Sequence, residues 1–191
     1  MGRGSECEGV GGCAKQLNRA GYHAAFNASL RTDAGGLTSG VAVLSAWAYG
    51  LTKPSMPEIV TVPDPSRFVF RHFHGLATGG IGFGSVYLRD GVGLDEYNNN
   101  LLFQVWAYLR AWGRHFILAG DFNIDPNELV EAGWPQKLGA KIIFPDGPTY
   151  RSGGAESKID FFIVENSIAD AAQACYSKQE ESVKKTFGGG S

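Results

Sequence analysis

Between Glu96 and Trp112 the apolar residues Leu101, Val105, Leu109 and Trp112 recur at steps of three and four, with Leu102 and Trp106 beside them. That period predicts an amphipathic helix. Phe116-Ile-Leu-Ala119 follows as an unbroken apolar run, the pattern of a strand buried on both faces. Upstream, Arg67 to His74 alternates, placing Phe68, Phe70, His72 and His74 on one face and Val69, Arg71 and Phe73 on the other. Shorter strand-like runs occupy Tyr22 to Ser29, Gly40 to Ser45, Gly84 to Leu88 and Lys158 to Val164. Lys15 to Tyr22 reads as a short helix stopped at Gly21. Asp125 followed by Pro126 reads as a capped helix start. Asp33 to Ser39 is rich in turn formers, and Pro54, Pro57, Pro63 and Pro65 confine the next stretch to loop or edge strand. Several strands have no helix between them, which points to a mixed-sheet α/β sandwich.

Composition narrows the class. The 191 residues, 43% hydrophobic and 12% aromatic, suit one domain over residues 1–191 with a sizeable core. A formal charge of -2 lacks the basic footprint of a strong nonspecific DNA binder. Cys7, Cys13 and Cys175 form no C-x-x-C pair, so neither a disulfide framework nor a zinc site is expected. No apolar run approaches the ~20 residues of a membrane span, and the first residues lack the apolar stretch of a secretory signal. The expectation is an intracellular protein without a membrane partner.

The segment richest in chemistry is Ala119-Gly120-Asp121-Phe122-Asn123, directly after the buried strand. Ligand sites in open α/β sheets lie off the carboxyl ends of strands. There Asp121 can ligate a hard cation or orient a water, and Asn123 can donate to phosphoryl oxygens. The same residue types also suit an ordinary turn after a strand.

Four further segments, in order, join this one in a resemblance to the endonuclease/exonuclease/phosphatase superfamily. Ser39 to Ser45 looks like that family's "GVAILS" strand, and Ser85-Val86-Tyr87-Leu88 like the strand of its active-site tyrosine. The helix between Tyr87 and Asp121 has the family's spacing, and Ser157-Lys158-Ile159-Asp160-Phe161 looks like its "S-R-I-D-Y" strand. The resemblance implies a four-layer α/β sandwich of two mixed β-sheets flanked by helices. Its recognisable core covers about residues 5–165, ahead of a glycine-rich tail at 186–191. It implies metal-dependent phosphodiester hydrolysis with Mg²⁺ or Mn²⁺, on DNA in the manner of retrotransposon endonucleases. Asp121 would activate the attacking water, Asn123 would hold the phosphate, and Tyr87 would bond the phosphate or leaving group. Asp160 would orient the catalytic histidine, and Glu6, with Glu8 as alternative, would bind the metal. Mg²⁺ prefers one or two carboxylates and several waters, which suits a single glutamate.

The chain departs from the family pattern at both ends. The family's first strand, bearing a phosphate-contacting asparagine, should precede Glu6. Its closing Ser-Asp-His segment should follow Val164, yet no histidine comes after His115. The expectation is therefore a domain incomplete in its N- and C-terminal strands. His74 is the candidate substitute for the histidine, while His23, His72 and His115 read as surface or core residues. Arg151 and Lys158 could reach phosphate but read more simply as loop charges, and Lys184-Lys185 as solvated tail. Two other functions stay open on these residues: a truncated remnant without turnover, and hydrolysis of a small phosphomonoester.

Overall fold

A computed structural model describes residues 6–32 and 35–173, with side chains from residue 12 onward. Its centre is a five-stranded mixed sheet whose strands lie in the order Phe68–Phe73, Ile81–Tyr87, Phe116–Asp121, Asp160–Glu165, Ala140–Ile143. The elements run α1 (Glu6–Arg19), β1 (Tyr22–Asn27), β2 (Leu30–Arg31), β3 (Leu37–Thr38), β4 (Val41–Ala46), β5 (Phe68–Phe73) and β6 (Ile81–Tyr87). They continue with α2 (Glu96–Trp112), β7 (Phe116–Asp121), α3 (Pro126–Glu131), α4 (Trp134–Leu138), β8 (Ala140–Ile143), β9 (Tyr150–Ser152), β10 (Ala155–Ser157) and β11 (Asp160–Glu165). Residues 166–173 are helical. Only β6 and β7 pair in parallel within the sheet, because α2 carries the chain back across its face between them.

One face of the sheet packs on α2, α3 and α4. Phe68, Phe70, Val86, Leu118 and Ile163 meet Leu102, Val105, Leu109, Leu129 and Trp134 there. The helix is capped as its sequence dictates. Asp95 accepts the Asn98 N–H at 2.8 Å, and Gly113 closes the other end in the left-handed region. On the opposite face, β1 and β4 form an antiparallel pair whose Ala25, Val41 and Val43 pack on Val69 and Phe73. Asn27 Nδ2 ties this pair to the sheet by donating to Phe68 O at 2.9 Å. α1 packs along β1, so the layers run helix, small sheet, large sheet, helices. The sandwich expected from the sequence is present. Among the described residues its second sheet consists of β1 and β4 alone.

Several boundaries differ from the sequence expectation, each for a physical reason. α1 begins at Glu6, well before Lys15, although glycines weaken its first turns. β6 begins at Ile81 because Gly82 and Gly84 sit beneath Phe70, where a Cβ would come within 2.1 Å and 3.1 Å of that ring. β7 runs through Gly120 to Asp121, since β6 and β11 pair with it to that point. α4, β8 and the β9–β10 hairpin carried no clear period; each spans only a few residues. The tail calls at Lys184-Lys185 and 186–191 lie outside the described residues.

Candidate active site

Strand register assembles the site. Tyr87 on β6 pairs with Asp121 on β7, and Asp121 pairs with Asp160 on β11. Paired residues point to the same face, so the phenol and two carboxylates stand in one row across three strands. The ladder extends one residue beyond β5, where the Tyr87 N–H donates to Arg67 O at 2.9 Å. Arg67 thereby heads the row. It is only 6% exposed, its guanidinium lies 5.3 Å from the Tyr87 ring centre, and its Nη1 donates to Tyr87 O at 3.3 Å. Sequence reasoning missed Arg67 as a site residue. The signal was available in its place at the head of an alternating strand, on the face of Val69 and Arg71.

Each residue of Gly120-Asp121-Phe122-Asn123 has a separate task. Gly120 lets β7 approach β6 so closely that a Cβ would lie 2.1 Å from Val86 O. Phe122 is fully buried and stacks on Phe161 at 4.2 Å and 10°, fixing the turn from the core side. Asn123 sits at φ 51°, a left-handed conformation that asparagine tolerates better than most residues. Its Nδ2 donates to Leu88 O at 3.0 Å, and its N–H to Asp121 Oδ1 at 3.3 Å. The Asn123 amide thus donates to Leu88 O and also hydrogen-bonds the Asp121 carboxyl, tying the turn to the site.

Burial pushes the Asp121 carboxyl up, and the facing Asp160 adds to this with a smaller contribution from Asp90; hydrogen bonds from Asn123 act the other way. Thr149 holds the opposite side. Its hydroxyl accepts the N–H groups of Ile159 and Asp160, both at 3.0 Å, anchoring the approach to Asp160. A cavity of about 450 Å³ opens between Asp121, Pro145, Thr149, Asp160 and Phe162. Beside the row, Tyr97 OH donates to Asp64 Oδ2 at 2.7 Å and Arg89 covers the Tyr97 ring at 3.4 Å.

The structure brings Tyr87, Asp121, Asn123 and Asp160 together, and it does not bring a described histidine to them. β5 is antiparallel to β6, so His72, paired with Gly82, and His74, just beyond β5, stand at the end of the sheet remote from Tyr87. His74 Nε2 there meets Thr52 Oγ1 at 2.8 Å, which removes it as a substitute. His115 precedes β7 at that same remote end and contacts Glu165 at 3.0 Å. Glu6 and Glu8 belong to the stretch of α1 whose side chains lie outside the described residues. Arg151 pairs with Glu156 on the β9–β10 hairpin, and Lys158 lies over Phe144 at 4.7 Å.

Neither a family profile nor a curated protein sequence matches the chain. Solved structures do. The human Nocturnin catalytic domain aligns at TM-score 0.56 and 13% identity, over 83% of this chain and 66% of that one. The endonuclease domain of TRAS1, a telomere-specific non-LTR retrotransposon, aligns at 0.53 and 15%, over 87% and 82%. An endonuclease/exonuclease/phosphatase family protein from Bacteroides thetaiotaomicron aligns at 0.53 and 20%, over 80% and 66%. The chain spans just under two thirds of the first and third of these. At such identities the likeness establishes the fold, and the site must carry any argument about function.

Proposed function

Taking the endonuclease/exonuclease/phosphatase fold as premise, we propose that this chain carries a divalent-metal-dependent phosphoester site, with DNA phosphodiesters as its preferred substrate. The observation that supports this most is the row Arg67, Tyr87, Asp121, Asp160 with Asn123 beside it. It sets a cation and hydrogen-bond donors next to two carboxylates, the complement of an anionic phosphate attacked by water.

The donor set suits Mg²⁺ or Mn²⁺. Asp121 and Asp160 face each other as like charges, and a hard dication relieves that repulsion while keeping most of its waters. Among the described residues no group of three or more His, Cys, Asp or Glu makes a closed cage. Asp121 and Asp160 would hold the ion here, with Glu6 a further candidate. When bound, the ion supplies charge neutralisation on the transferring phosphoryl group.

The protein's own residues do the rest. Asp121 orients the attacking water and accepts its proton through the carboxylate oxygen that the ion leaves free. Arg67 holds phosphoryl oxygens, joined by the Asn123 amide when a bound phosphate takes the place of its contact with Asp121. The Tyr87 hydroxyl, which makes no hydrogen bond among the described residues, donates to the phosphate or to the leaving oxygen. Asp160, without a described histidine to orient, fixes the local charge instead.

A supercoiled-plasmid nicking assay with Mg²⁺ tests the proposal. Nicking by the wild-type chain that is lost in Asp121→Asn supports it, and equal nicking by both rejects the assignment. Faster turnover of sugar or inositol phosphates than of DNA would move the substrate to small phosphomonoesters. A second reading, phosphoester binding without turnover, is favoured by the remoteness of every described histidine from the row. It predicts metal and phosphate binding with no cleavage of any phosphoester.

A further inference from the structure

The large sheet carries a second set of cations on the face it turns toward β1 and β4. Thr52 bridges His72 in antiparallel fashion, with N–H to O distances of 3.0 and 2.9 Å both ways. One step along, Lys53 therefore stands opposite Arg71. Like charges placed directly opposite repel, and a fold retains such a pair against that cost. β1 contributes His23, which shares the inward face with Ala25, and α1 contributes Asn18. These side chains line a cleft of about 310 Å³ at the open edge between the two sheets.

Nothing described in this cleft balances the charge. No acidic side chain lines it among the described residues. Among the described residues the half-buried Arg71 guanidinium donates through Nη1 to Phe70 O at 2.7 Å and lies within electrostatic reach of Tyr108. Neither Arg71 nor Lys53 forms an ion pair among the described residues. Burial holds the Arg71 guanidinium below its ordinary pKa, which marks the charge as kept partly out of water at a cost. The whole chain has a formal charge of -2, so the concentration of cations here is local.

We infer that this cleft binds a phosphate group, gripped by Arg71 and Lys53 with His23 and Asn18 as further donors. A guanidinium fork and an ammonium offer the donors that phosphate oxygens accept, and the cleft leaves room for little more than one phosphorylated unit. Arg71 lies four residues along β5 from Arg67, so the cleft is roughly 13 Å from the active-site row. Two sources supply this chemistry: a backbone phosphate of a strand crossing the row, or a free small phosphate. The inference needs neither turnover nor a bound metal, so it can fail or hold independently of the proposed function.

The experiment uses the whole chain with Asp121→Asn as background, so that no substrate is cut. Inorganic phosphate and a short single-stranded DNA are titrated separately, at low salt, by NMR chemical-shift mapping. The comparison adds Lys53→Gln, Arg71→Gln or both, with thermal melts to verify folding; exposed Lys53 keeps the test informative if Arg71→Gln does not fold. Loss of charge-assisted bonds should weaken binding about tenfold per cation. Weakened binding of inorganic phosphate identifies a free-anion site. Weakened DNA binding in the double variant with a salt slope shallower by about 1.4, and phosphate unaffected, identifies a backbone contact. Unchanged affinity for both ligands in folded variants overturns the inference.

Discussion

Replacing Gly120 by alanine isolates the close approach on which the row depends. Gly120 lies outside the left-handed backbone region, so alanine meets no conformational penalty there. Its Cβ, however, would lie 2.1 Å from Val86 O and 2.9 Å from Val86 C. A tolerable contact begins above 3.0 Å, so β6 and β7 must part by about 0.9 Å next to the Tyr87–Asp121 pair. Both atoms are backbone of a central strand, which cannot swing aside as a side chain could. Overpacking of this kind costs ~1–3 kcal/mol, and weakening two ladder bonds adds ~0.5–1.5 kcal/mol each. Reduced freedom of the unfolded chain returns ~0.4–1 kcal/mol. The net expectation is a loss of about 3 kcal/mol, within a span of about 1–6, in urea denaturation, with the slope unchanged. Gly147→Ala is the control, because a Cβ there meets nothing within 4 Å and the backbone is unstrained; its midpoint should stay within ~0.5 kcal/mol. A Gly120→Ala midpoint equal to that of Gly147→Ala would refute the claim that the glycine of this motif is fixed by packing between the strands.

Three other outcomes follow from the same geometry. Asp121→Asn should abolish any phosphoester cleavage yet raise thermal stability at neutral pH. The folded Asp121 carboxyl titrates above its ordinary range, so its favourable contribution is present at low pH and lost as pH rises through the folded value. The stability gap between variant and wild type should therefore widen with rising pH, and a gap that narrows contradicts the assignment. Asn98→Ala should cost about 2–4 kcal/mol in chemical denaturation. The Asn98 side chain is fully buried, accepting the Arg89 N–H and donating to Arg89 O and Gly93 O, so its loss strands backbone groups behind the site; a loss under ~0.5 kcal/mol would count against that role. Burial raises the Asp64 carboxyl, but hydrogen bonds from Tyr97 and Ser66 prevail and hold it below 3.8. Its stabilisation is present above that value and disappears as pH falls through the folded pKa, so Asp64→Asn should flatten the acid limb of a pH–stability curve.

The parts legible in the sequence were those whose period is long or whose chemistry is local. α2 matched its stripe because four apolar residues repeated over its length, and Asp95 and Gly113 bounded it. The faces of β5 were read from alternation alone, and Phe68 and Phe70 do lie in the helix-side core while Val69 and Phe73 pack on β1 and β4. β8 was not legible because Lys141 and Ile142 break its pattern and its place at the sheet edge is set by β11 rather than by local propensity. The gathering of Tyr87, Asp121 and Asp160 followed from family-like segments, but their shared row is a property of register, which no single segment encodes. Arg67 was missed for that reason: its importance comes from pairing with Tyr87. His74 failed as a substitute because the strand direction that brings Arg67 to the row carries His74 away from it.

Paramagnetic mapping with Mn²⁺ tests the central claim most directly, because it reports on the row whether or not the chain turns over a substrate. Amide signals of an ¹⁵N-labelled sample are followed as Mn²⁺ is added in small amounts. The account predicts early broadening of Asp121, Asn123, Asp160 and Tyr87, reversed by excess Mg²⁺ and absent in Asp121→Asn. Broadening centred elsewhere, or identical broadening in Asp121→Asn, would contradict it.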